Sequence, residues 1–119
     1  MKYLCLIYQD ETRWPILPKA EAEQIYGEYF AFTDGIKSSG HYIGSNRLEP
    51  TRTAITVRVR NGEVLTTDGP FAETKEQLGG YYLVEAKDLD EAIGLAARIP
   101  SARWGSIEVR PIIPHDMPS

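Results

Sequence analysis

Two stretches of this chain are apolar on both sides of an extended strand. Residues 3–8 read Tyr-Leu-Cys-Leu-Ile-Tyr, and alternation puts Leu4, Leu6 and Tyr8 on one face and Tyr3, Cys5 and Ile7 on the other. Residues 80–86 repeat the pattern, with Tyr81 and Leu83 opposed to Tyr82 and Val84. Such strands belong in the middle of a sheet covered on both faces. Whatever fold the chain adopts must supply that cover.

Two helices are available to do so. The first is expected over residues 18–38, with Pro18 in its first turn and Gly40 beyond its end. Ala22, Ile25, Tyr26, Tyr29, Phe32, Thr33 and Ile36 recur at the spacing of one buried face. Gly27 and Gly35 each weaken this helix by roughly 1 kcal/mol relative to Ala, so packing must hold it. The second helix begins at Asp88, a capping residue followed three positions later by Glu91, and stops at Pro100. Its expected inner stripe is Leu89, Ala92, Ile93, Ala96 and Ile99.

Further strands are expected over 42–48, 53–60, 63–67 and 106–112. Asn61-Gly62 is a strong two-residue hairpin signal joining the middle pair. Residues 10–17 read as a loop and 114–119 as a loose tail. The order is strand, helix, strand, hairpin, strand, helix, strand. This predicts an α+β fold, a ferredoxin-like antiparallel sheet with two helices on one face and an inserted hairpin. Right-handed crossovers place both helices on the same side. The other apolar face is left without cover from within the chain, so a second copy of the protein, in a homodimer, is the expected partner.

With 119 residues the chain has room for one domain, placed at 1–113, with the tail after it. The net charge of −4 argues against a nucleic-acid or anionic-membrane partner. No apolar run approaches the ~20 residues that span a bilayer. The N-terminal apolar run is short and soon followed by Asp10 and Glu11, unlike a signal peptide, so a cytoplasmic location is expected. A single cysteine excludes an intrachain disulfide, and Cys5, among apolar strand neighbours, is expected to be buried and inert. Two histidines without paired-ligand spacing predict no metal. Phosphate-cradling loops and nucleophile elbows are also missing, which sets aside kinase, hydrolase and metalloenzyme chemistry, and no cofactor is expected.

The run Asp68-Gly69-Pro70-Phe71-Ala72-Glu73-Thr74-Lys75-Glu76 carries the densest chemistry. Pro70 fixes its own φ, has no N–H and biases Gly69 towards extended backbone, so the chain must leave the preceding strand abruptly. Phe71, the only large apolar residue between Leu65 and Leu78, is expected to pin the loop to the body. Gln77-Leu78-Gly79-Gly80 reads as one helical turn stopped by glycine. Asp68 and Glu73 are the candidate general base and acid for a proton transfer on an unidentified small molecule. Lys75 or Arg110 can hold an anionic or carbonyl group, and Phe71, Tyr81, Tyr82 and Trp104 can supply aromatic walls.

This signature, the preceding Val57-Arg58-Val59-Arg60, the following Gln77 to Leu83 and the terminal Glu108-Val109-Arg110-Pro111 resemble the DGPF branch of YCII-related proteins. The likeness extends over residues 1 to about 113. It implies a dimeric α+β barrel, in which two ferredoxin-like sheets pack face to face, in agreement with the two-faced strands. That group includes cofactor-free oxygenases, isomerases and haem enzymes, so the fold does not select a reaction. The wider family's suspected His–Asp pair implies acid–base work. Here the first helix contains no histidine; only Asp68 carries over, by its place at the start of the signature. His41, just after the helix, is a substitute from a different position, and its competing role is that of an imidazole at a helix C-terminus.

Two other readings stay open. Proteins of this resemblance are encountered beside, or fused to, extracytoplasmic-function sigma factors, which implies a non-catalytic accessory role. Alternatively the signature is architectural, with Asp68 capping its own turn and Glu73 or Glu76 pairing with Arg58 or Arg110. An enclosed pocket at the signature favours ligand binding, and a flat patch favours a protein partner.

Overall fold

Along the chain run β1 (Lys2–Gln9), α1 (Lys19–Ser38), β2 (Tyr42–Arg47), β3 (Ile55–Arg60), β4 (Glu63–Asp68), β5 (Gln77–Glu85), α2 (Leu89–Ala97) and β6 (Ser106–Pro111). Short 3-10 turns occupy Glu11–Ile16, Thr51–Thr53 and Pro100–Arg103. This computed structural model describes residues 1–115; of the tail expected at 114–119, residues 116–119 lie outside the described residues. The fold is α+β. β2, β5, β1 and β6 form one antiparallel sheet in that order, and β3 pairs only with β4.

The two strands that are apolar on both faces, β1 and β5, are the central pair of the sheet. On one face Tyr3, Cys5, Ile7, Tyr82 and Val84 join Phe32 and Ile36 of α1 and Ala92, Leu95 and Ala96 of α2 in a single buried cluster. Phe32 meets Tyr82 edge to face, with ring centroids 5.1 Å apart. On the other face Leu4, Leu6, Tyr8, Tyr81 and Leu83 are only half-buried. The molecule is 19 Å thick in its thinnest dimension, the depth of one helix layer on one sheet.

The β3–β4 hairpin turns at Asn61 and Gly62, both with positive φ (53° and 78°), as the right-handed twist of the strands requires. Ile55, Val57, Val59 and Val64 share one side of it, and all are exposed. The hairpin stands away from the main sheet. The radius of gyration is 16.5 Å, whereas a compact domain of this length would have about 13.5 Å.

Several expectations need correction. Gln77-Leu78-Gly79-Gly80 is not a helical turn but the start of β5. Ile7 pairs with Gly80 and Tyr8 with Leu78, which leaves Gly79 as a bulge. Gly80 is required because a Cβ there would stand 2.8 Å from the Asn46 carbonyl oxygen of β2. The expected loop at 10–17 contains a 3-10 turn, capped by Asp10, whose carboxylate accepts from the Thr12 N–H at 3.0 Å. β3 begins at Ile55 rather than at Thr53, which belongs to a 3-10 turn. In α2 the buried residues are Ala92, Leu95 and Ala96, while Leu89 and Ile93 face outward. Asp88 caps the helix by accepting from the Glu91 N–H at 2.9 Å; the Glu91 carboxylate reaches back to Lys87 N–H instead of to Asp88. Phe71 does not pin its loop, being 82% exposed.

Candidate functional site

The signature begins where β4 ends. Gly69 has φ +95°, not the extended backbone expected from the following proline, and its N–H donates to the Ala54 carbonyl at 2.7 Å. Thr56 Oγ1 donates to the Gly69 carbonyl at 2.8 Å, so the turn is closed by backbone and threonine. Asp68 is exposed, and among the described residues its carboxylate accepts no hydrogen bond from its own turn, unlike the capping expected of the architectural reading. Further along, Gln77 Nε2 donates to the Thr74 carbonyl at 2.7 Å, and Glu76 accepts from Ser106 Oγ at 2.8 Å. Glu76 therefore pairs with neither Arg58 nor Arg110.

A groove of about 840 Å³ runs beside this loop. The signature contributes Pro70, Phe71, Ala72, Glu73 and Thr74; Tyr8, Leu48 and Ile55 supply apolar wall opposite. Its floor is braced by Glu11, whose N–H donates to Gln77 Oε1 at 3.0 Å and whose carboxylate accepts from the Thr51 N–H at 3.0 Å and from the Thr51 hydroxyl. These bonds tie two 3-10 turns to the start of β5.

The seven candidate residues do not form one constellation. Glu73 and Phe71 line the groove, while Asp68 and Lys75 are exposed and line neither this groove nor the cleft described next. Arg110 is ion-paired with Glu108 on the open sheet face. His41 bonds Ser39 Oγ through Nδ1 at 2.6 Å and Glu91 Oε1 through Nε2 at 3.1 Å. It thereby joins the end of α1 to the start of α2. Tyr81 lines a second, separate cleft.

That cleft, of about 350 Å³, opens between α1 and the β2–β5–β1 edge of the sheet. Trp14 and Tyr26 stack at its mouth, with centroids 5.4 Å apart and planes at 24°. The Arg47 guanidinium lies 5.4 Å from the Trp14 ring and 5.5 Å from the Tyr26 ring, and Nη1 donates to the Tyr26 hydroxyl at 2.7 Å. Gln9 sits deeper, its Oε1 accepting from Trp104 Nε1 at 2.8 Å and from Ser101 Oγ at 3.2 Å. The fully buried Ser101 is also hydrogen-bonded to the Tyr29 hydroxyl. Burial pushes the Tyr29 phenol above its usual range, against the opposing pull of that bond, so it stays a protonated donor.

Sequence reasoning placed Tyr26 and Tyr29 in the buried stripe and missed Gln9 and Arg47. The available signal was positional. Gln9 continues the buried-face alternation Tyr3, Cys5, Ile7, and Arg47 shares its face of β2 with Ser45. A polar residue at the end of a buried row marks where the core opens.

The family model of the YCII-related domain matches residues 1–116. An uncharacterized protein of Rhizobium meliloti (strain 1021) is 40% identical over 124 residues, with the whole of both chains aligned. The chain belongs to the YCII-related family.

Proposed function

We propose that this protein, as a member of the DGPF branch, is a homodimeric small-molecule binder of the dimeric α+β barrel kind. Two ferredoxin-like sheets face each other, and the second copy closes the signature groove into a binding site. The observation that carries this reading is Phe71, 82% exposed at the edge of an 840 Å³ groove. Ile55 of the hairpin, itself a wall of that groove, is exposed as well, and the half-buried sheet face continues the apolar surface. Apolar surface of this extent marks an interface. The strand order β2-β5-β1-β6, with helices after β1 and β5, supports the ferredoxin-like reading.

Glu73 lines the groove, and in this reading it is the carboxylate that exchanges a proton with the bound molecule. The accessory role alongside a sigma factor draws on the same exposed surface, with another protein as its occupant.

A thermal-shift screen of metabolites on the wild type and on Phe71→Asp tests the proposal. Compounds that raise the melting temperature of the wild type are expected to lose their effect in Phe71→Asp, because a ligand stabilises only a state it binds. Hits that act equally on both proteins, or a library without hits, would contradict it.

A further inference from the structure

Independently of the signature groove, we infer that the cleft between α1 and the sheet binds a small planar carboxylate, with an aromatic acid of single-ring size as its simplest representative. The inference rests on which way the hydrogen bonds run. The Trp104 indole N–H can only donate, so the Gln9 atom 2.8 Å from it is the amide oxygen. Ser101 Oγ donates to that same oxygen, and the Tyr29 hydroxyl must then donate to Ser101. Two protons thus point at Gln9 Oε1, and a third, from Tyr29, backs the Ser101 donor. Among the described residues the Gln9 NH2 group has no acceptor, in a residue that lines the cleft, and the donors to its oxygen polarise the amide and strengthen it as a donor.

Tyr26 and Arg47 face the same space. Tyr26 accepts from Arg47, which leaves its phenol proton to give at the mouth of the cleft. Arg47 is the only charged residue among those lining the cleft. Among the described residues it forms no ion pair, in a chain carrying 17 carboxylate side chains against 13 Lys and Arg. A cation without a counter-ion beside an oriented amide donor selects an anion, and two differently placed donors suit the two oxygens of a carboxylate. The remaining wall is Trp14, Tyr26 and Tyr29, which selects a flat apolar body. The volume of 350 Å³ lies at the small end of the ~300–1,000 Å³ typical of ligand sites. No carboxylate, imidazole or thiol lines the cleft, so its residues offer binding and not general-base chemistry.

The test is titration of 4-hydroxybenzoate and its neutral amide, 4-hydroxybenzamide, into the full-length protein, followed by the indole N–H signals of Trp14 and Trp104 in NMR. Gln9→Glu keeps an oxygen for Trp104 and Ser101 while replacing the free NH2 by a repelling oxygen. Arg47→Met removes the cation and keeps an apolar stem over the rings. The acid is expected to bind the wild type at least tenfold more tightly than the amide, and each variant to lose at least tenfold in affinity for the acid with its melting transition retained. An acid that shifts neither indole signal at millimolar concentration, an amide that binds equally well, or folded variants that bind the acid like the wild type would each overturn the inference.

Discussion

A methyl group on Gly105 would stand 2.2 Å from the Tyr8 carbonyl oxygen and 3.0 Å from Gln9 Cβ, so the chain entering β6 can pass the end of β1 only at a glycine. Gly105→Ala is expected to destabilise the protein by roughly 1–3 kcal/mol, as overpacking against backbone does. Urea denaturation reads this directly, and an unchanged midpoint would contradict it. Cys5 lies at the other extreme of legibility. Its burial followed from alternation alone, and the thiol is fully buried with its pKa pushed up to about 11 by desolvation. It remains protonated through neutral pH, so labelling of the native protein by a thiol reagent at pH 8 is expected to wait on opening of the core. Complete labelling within minutes would show an open thiol. Alternation is a local signal, whereas the demand on Gly105 comes from a strand far away in sequence, which is why one was readable and the other was not.

At the scale of elements, both helices, the hairpin and the central strands were visible as periodicity and turn chemistry. The start of β5 was not. Gly79-Gly80 reads locally as a helix stop, but the glycines serve a bulge and a close approach of β2. In the nine-residue α2, two overlapping stripes fit the helical period, and only the packed structure selects Leu95 over Leu89 and Ile93. The cap of this helix was read from Asp88 and Glu91, and the structure adds His41, which binds the same Glu91 carboxylate. Asp88→Ala removes the acceptor for the Glu91 N–H and is expected to cost about 1 kcal/mol. A change in denaturation midpoint equivalent to less than a few tenths of that would contradict the capping role. The signature loop was located by its letters, but its contacts were not. Its turn is closed by Ala54, Thr56, Thr74 and Gln77, none of which the signature's charges announce.

The whole molecule is 49 by 45 by 19 Å, broad and thin, with a hairpin extending from a two-layer body. That shape follows from the sequence feature that constrained the fold first. β1 and β5 are apolar on both faces, two helices cover one, and no described element covers the other. The candidate site was legible only in part for the same reason. Glu73 and Phe71 reach the signature groove, but its opposite wall comes from residues far away in sequence, and the helix–sheet cleft is marked only by where polar residues interrupt the core rows. A second copy of the chain is expected to cover the open sheet face and the exposed hairpin. Multi-angle light scattering on the native protein at micromolar concentration decides this: a mass of twice the 13.4 kDa of one chain is expected, and a single species at 13.4 kDa would overturn it.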